Sequence, residues 1–207
     1  MAQGDLLDFN MPVPARFLTE LIEHEGSVPH MYLDTRGHVT VGVGLLLASS
    51  REAEGLGFVE RHSGRPASRS EIQLDWQRVR GEPAGRVAAD YERVTRLELP
   101  AMQIRRELSR RVDQFQVGLR RTFENYDRYP DDVRLALLDM AFNLGLRGLT
   151  AKFPKFCGAI RRGDWPAAAK ESARRGIASR RNEYVRTLLA GTPKESSWGG
   201  GLGSESD

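Results

Sequence analysis

The stretch EGSVPHMYLDTRGHVTVGVG, residues 25–44, constrains this chain more than any other part of it. A carboxylate, Glu25, stands just ahead of a short strand pattern that ends at a second carboxylate, Asp34. Thr35-Arg36-Gly37 reads as a turn, and His38 to Gly44 as a returning strand. Along it Val39, Val41 and Val43 share one face under period-two alternation, while Thr40, Gly42 and Gly44 share the other. The valine face is a small apolar core. The opposite face carries one hydroxyl and little else, which suits a surface that something bulky lies against.

The segment ahead of this stretch reads as a helix over residues 14–25. Pro14 suits its first turn, and Phe17, Leu18, Leu21 and Ile22 recur at helical spacing. At about 100° per residue Glu25 falls inside the arc spanned by those four, whereas Glu20, Glu23 and His24 point elsewhere and read as solvated. A carboxyl group on an apolar face resists ionisation and can hold a proton near neutral pH, as a general acid must. The plainer reading is a helix-end Glu that reaches water, with Gly26 as the helix stop.

The order Glu25, Asp34, Thr40 and then Val-Gly-Val-Gly resembles the phage-type lysozymes, glycoside hydrolase family twenty-four. LLDMAFNLG is similar to that family's central helix, GDWPAAAKE to its following Trp-containing helix, and GIASRR to its Gly-hydrophobic-x-x-Arg-Arg signature. The resemblance spans roughly residues 14–192 and leaves 48–99 as a helical insertion. It implies a mainly α (α+β) fold of two lobes, with a small β-hairpin in the catalytic lobe and a long helix bridging to a helical second lobe. It also implies that Glu25 is the general acid and that Asp34 and Thr40 hold the attacking water or the developing charge. The chemistry agrees, because glycoside cleavage needs one protonated and one ionised carboxyl across the sugar. Substrate-side roles are implied for Asn143 and Arg180. By their residues alone, Asn143 equally reads as a helix cap and Arg180 as a surface partner of Glu183. Leu45 stands where the family usually has a His that ties down the hairpin.

The rest of the chain divides by its punctuation. Residues 1–13 read as a leader and 193–207 as a flexible Gly/Ser-rich tail. Within 48–99, SSREAEGLG and RHSGRPASRS look loop-like, Ser68 or Ser70 is placed to cap a helix through EIQLDWQRVR, and Val87, Tyr91 and Val94 mark another short helix. Trp76 is either a binding aromatic or simply packs this annex onto its neighbours. From Met102 the residues Ile104, Leu108, Val112, Phe115, Leu119 and Phe123 form one stripe, the mark of a helix of about twenty residues. Pro130-Asp131-Asp132 opens a mostly apolar helix, expected to be buried and to end at Gly145 and Gly148. Phe153 to Ile160 reads as a short helix, Asp164 as the cap of the next, and residues 174–191 as the last element.

Composition narrows the function classes. The single Cys157, flanked by Phe153 and Phe156, is expected in the core and forms no internal disulfide. His24, His30, His38 and His62 show no metal-ligand spacing, so no metal or cofactor is expected. No apolar run approaches membrane-spanning length, and the N-terminus lacks the pattern of a secretory signal. The expectation is synthesis in the cytoplasm and action in the periplasm or cell wall of a target or host bacterium. Residues 101–190 hold 19 basic and 10 acidic side chains, against 11 and 15 in residues 1–100. That asymmetry suits an anionic polymer, although most of the arginines lie on helix faces and no nucleic-acid module is recognisable. The expected function is a monomeric muramidase cutting the β-1,4 bond between N-acetylmuramic acid and N-acetylglucosamine, either a phage endolysin or an injected effector. Peptidoglycan is its expected partner, joined in an effector by a cognate immunity or inhibitor protein; no nucleic acid or membrane insertion is expected. Three alternatives stay open: a non-catalytic murein-binding module, a nucleic-acid-binding protein, and a lytic transglycosylase, which needs no Asp and leaves an anhydro product.

Overall fold

The computed structural model describes residues 12–193, apart from the side chains of His24 and Glu25. The leader and the tail therefore lie, except at residues 12, 13 and 193, outside the described residues. Among the described residues the protein is mainly helical, 61% helix and 9% strand, with a small antiparallel sheet. It forms two compact units, one of residues Leu18–Arg111 and one of Met1–Phe17 with Val112–Asp207. The division falls inside helix α1 (Val13–Glu25) and inside helix α4 (Ala101–Thr122).

In the Leu18–Arg111 unit, strands β1 (Val28–Leu33), β2 (Val39–Gly42) and β3 (Leu45–Leu46) form an antiparallel sheet in that order. Val39, Val41 and Val43 are buried, as the alternation requires. The returning strand is shorter than expected. It stops at Gly42 because Gly42 (φ 63°) and Gly44 (φ 67°) both adopt left-handed backbone, which turns the chain into β3. Leu45 then pairs with Val41, and Leu46 with Thr40. The second face is closed at Thr40 and Gly42, while Gly44 is exposed with nothing within 4 Å of a Cβ placed on it. Thr40 is only 3% exposed, and a Cβ placed on Gly42 would meet Ile104 Cγ2 at 3.0 Å. The bulky group lying there is the protein's own isoleucine. A further correction concerns α1: Glu20, expected in solvent, is 6% exposed, while Glu23 is exposed.

Segment 48–99 contains more regular structure than its composition suggests. SSREAEGLG forms helix α2 (Ser50–Glu54), because Ser49 caps it by accepting from Glu52 N. Strand β4 (Val59–Glu60) pairs with β5 (Leu97–Glu98), and each is two residues, too short to show a period. Helix α3 (Arg69–Arg80) starts with a capping box. The Ser68 hydroxyl accepts from Glu71 N at 3.3 Å, and the Glu71 carboxylate accepts from Ser68 N at 2.7 Å, so Ser68 rather than Ser70 is the cap. A 3₁₀ helix covers Ala88–Val94. The segment is stitched to the sheet region: Leu99 N donates to Pro29 O at 2.7 Å, and His30 Nε2 to Ala88 O at 2.9 Å. The half-buried Trp76 donates from Nε1 to Leu47 O at 3.1 Å, as a packing residue would.

In the other unit, α5 (Asp131–Lys152) is the central element, with Val133 and Leu135 through Ala141 buried. The α4 stripe is buried at Val112 and Leu119 and continues to Phe123; Phe115 packs on Phe142 with ring centroids 5.9 Å apart. Phe17 meets the same ring at 6.0 Å, and Arg16 Nη1 donates to Asp132 Oδ1 at 3.1 Å. Gly145 breaks α5 as expected (φ 69°, ψ 159°), but Gly148 ends nothing, since helical geometry resumes and runs to Lys152. Then follow α6 (Pro154–Arg161), α7 (Trp165–Glu171) and α8 (Ser179–Gly191). Asp164 caps α7 by accepting from Ala167 N. Cys157 is buried, and burial pushes its thiol above the ordinary value. The last element begins later than expected, at Ser179, because residues 174–178 are held as a turn by Arg174.

Candidate active site

Glu25 is the final residue of α1, where Gly26 N closes the helix onto Ile22 O at 3.0 Å. Its side chain lies outside the described residues, as does that of His24, so the proton-holding character expected of Glu25 has no geometry here. The chain passes from Glu25 through Gly26 and Ser27 into β1, which ends beside Asp34.

Asp34 organises the hairpin turn. Its Oδ1 accepts from Arg36 N at 2.9 Å and from His38 N at 2.8 Å. Its own N donates to His38 O at 2.9 Å, and Gly37 N returns to Asp34 O at 2.9 Å. Oδ2 faces the His38 ring, with Nδ1 3.4 Å away. Partial burial works against charge on this carboxyl, but the His38 and Arg36 amides, with the His38 ring behind them, outweigh it. Asp34 is held below its ordinary value and is ionised at neutral pH. Thr40 joins the same network by donating from Oγ1 to His38 O at 3.1 Å. Asp34 and Thr40 are thus brought together through one residue, His38, that sequence reading passed over. Its position four residues after Asp34 across a Gly-containing turn was the available signal.

Asn143 lies in α5, half-buried, two residues before the Gly145 break. Arg180 is the second residue of α8 and is exposed. Glu183, its suggested partner, is instead gripped by Arg186. The neighbouring Arg181 is structural, its Nε donating to Asp139 Oδ2 at 2.9 Å. Arg174 Nη1 donates to Asp139 Oδ1 at 2.6 Å, Arg174 Nε to Asn182 Oδ1 at 3.1 Å, and Asn182 Nδ2 to Arg174 O at 2.8 Å. This cluster went unseen in the sequence because its partners are 35 and 42 residues apart. A further unanticipated cation, Arg111, donates from Nη1 to Gly44 O at 3.1 Å and secures the glycine turn; burial lowers its pKa from the usual arginine value.

Two other features bear on ligands. A groove of about 490 Å³ between α6 and α7 is lined by Lys155, Arg162, Lys170 and Glu171 over small residues. Among the described residues no group of His, Cys, Asp and Glu is arranged to hold a metal ion. No helix among them is long and apolar enough to cross a membrane.

No protein-family model matches the chain, and no curated protein matches it.

Proposed function

We propose that the protein is a peptidoglycan hydrolase, a muramidase with the two-lobed architecture of the phage-type lysozymes. The observation that carries this reading is the Asp34 turn. It is an ionised carboxylate with one oxygen engaged by two backbone amides and the other facing the His38 ring, tied through His38 to the Thr40 hydroxyl. In the proposed reaction Glu25 gives its proton to the departing sugar oxygen as the glycosidic bond breaks. A water held near Asp34 and Thr40 bonds to the anomeric carbon and releases its proton to Asp34. Glu25 ends ionised and Asp34 protonated, and solvent restores both. Asn143 and Arg180 are proposed as substrate-side residues.

Attack by a water rather than by Asp34 itself predicts inversion. Early-time NMR of the released reducing sugar should show the α anomer; a β product, or a glycosyl adduct on Asp34, would overturn that step. Mass spectrometry of the muropeptides tests the reaction class, because an anhydro product would make this a transglycosylase. Glu25→Gln should lower turnover by about 10²–10⁴-fold with the fold retained. Near-normal turnover in that variant would remove Glu25 from the mechanism.

The groove between α6 and α7 favours a second reading, a murein-binding module without catalysis, because three cations against one carboxylate suit an anionic polymer. Retention on sacculi with no released fragments would select it.

A further inference from the structure

We propose that His38 is a positioning residue for Asp34, and that its ring controls the one carboxylate oxygen the turn leaves unused. This rests on the muramidase reading given above. The two oxygens of Asp34 have different roles. Oδ1 accepts two backbone N–H groups, at 2.9 and 2.8 Å, and is committed to holding the turn. Only Oδ2 remains to take a proton from water or to face positive charge at the anomeric carbon, and the imidazole Nδ1 stands 3.4 Å from it. The ring is half exposed.

The His38 backbone belongs to the turn whatever the side chain does, since its N–H and C=O hold Asp34 and Thr40. The ring therefore adds something separable from folding. As an imidazolium it presents a full positive charge and a donor to Oδ2, which lowers that oxygen's basicity and cancels the negative charge offered to the sugar. As a neutral ring it leaves Oδ2 available. Because Asp34 is itself held below its ordinary value, its own protonation lies at more acidic pH than the range in which an imidazole changes charge. The charge state of the ring beside Oδ2 therefore sets how much of that oxygen is free to act.

Helix α3 packs against β1 and β2, and of its charged groups Asp75 is buried and paired with Arg78 at 3.0 Å while Arg80 lies over the Trp76 ring. Arg36 lies on the turn itself. Gly37 approaches Ala84, since a Cβ on the glycine would lie 3.6 Å from Ala84 Cβ, and that loop carries Glu82 and Arg86, which are paired with each other at 3.1 Å. Glu82 also binds Arg93 at 2.6 Å. On β1, His30 is buried and bonded to Ala88 O.

The test is a ratio of rates. Rates of murein solubilisation by His38→Asn and by wild type are measured from about pH 7.5 to pH 5, and the variant-to-wild-type ratio should rise about fivefold or more on acidification. His38→Gln serves as a second neutral variant, and near-identical thermal unfolding would show that the turn survives. A flat ratio overturns the proposal. An independent arm follows the Asp34 carboxyl carbon by NMR in the wild-type chain. It should show a second inflection that is absent from His38→Asn. If the wild-type chain proves inactive on murein, the muramidase reading falls while this arm still decides the Asp34–His38 coupling; a single inflection identical in both proteins would sink it.

Discussion

Asp34 and Asp139 carry the same carboxylate in opposite surroundings. Asp139 is buried, and each of its oxygens is taken by a guanidinium, Arg174 on one side and Arg181 on the other. Asp34 is a third exposed, and its main donors are backbone amides two and four residues along the chain. A buried carboxylate between two arginines has no free lone pair aimed at solvent and serves to hold the α7–α8 connection in shape. A turn carboxylate engaged on one oxygen keeps the other available. In the proposed muramidase, what separates architecture from chemistry is how each oxygen is occupied, not the residue type.

This contrast can be broken by mutation. The largest effect should come from Asp139→Ala, which leaves the 1% exposed Arg174 side chain without its countercharge. Urea denaturation should show a loss of about 3–5 kcal/mol. A loss below about 1 kcal/mol would mean that the cluster is not a structural centre. Asp34→Asn should behave the other way round. The amide oxygen still accepts the two turn N–H groups, so stability should change by less than about 1 kcal/mol, while murein hydrolysis falls by about 100-fold. A stability loss as large as that of Asp139→Ala would erase the distinction. The smallest effect concerns Glu71, an exposed carboxylate with a purely architectural role. Arg65, and behind it the Ser68 hydroxyl and amide, lower its pKa from 4.5 to about 2. A depressed pKa means that its stabilisation is fully present above the ordinary value and is lost as pH falls through the folded one. Thermal unfolding of Glu71→Gln should therefore approach wild type between about pH 4 and pH 2, after lying slightly below it at neutral pH. A constant offset at all pH values would mean that the carboxylate charge contributes nothing.

Much of the fold was legible because its signals are local. The α4 stripe, the Asp164 cap, the break at Gly145 and the Ser68–Glu71 box each depend on residues within a few positions of one another. Strands β4 and β5 were not, because two residues carry no period and their pairing joins positions almost forty apart. Glu20 was misplaced because a helical wheel shows which face is apolar but not how much of the helix is covered. The turn at Asp34 was legible from the hairpin pattern, whereas the roles given to Asp34 and Thr40 rest on the resemblance. The face around them was misread because alternation treats a glycine as strand, while Gly42 takes left-handed backbone under Ile104. Asp139 and its arginines had no local signal at all. The side chain of Glu25, on which the proposed acid role depends, lies outside the described residues.

The first turn of α1 belongs with residues made long after it. Arg16 meets Asp132, 116 positions later, and Phe17 meets Phe142. During synthesis from the N-terminus, the residues from Leu18 to Arg111 have their unit complete once Arg111 is available. The turn before them must wait through the emergence of α4 and most of α5. Closing so long a loop is slow, and until it closes Val13 and Phe17, both buried in the finished fold, remain without their cover. A nascent chain halted near residue 111 should therefore protect its hairpin from protease while leaving the start of α1 open to cleavage.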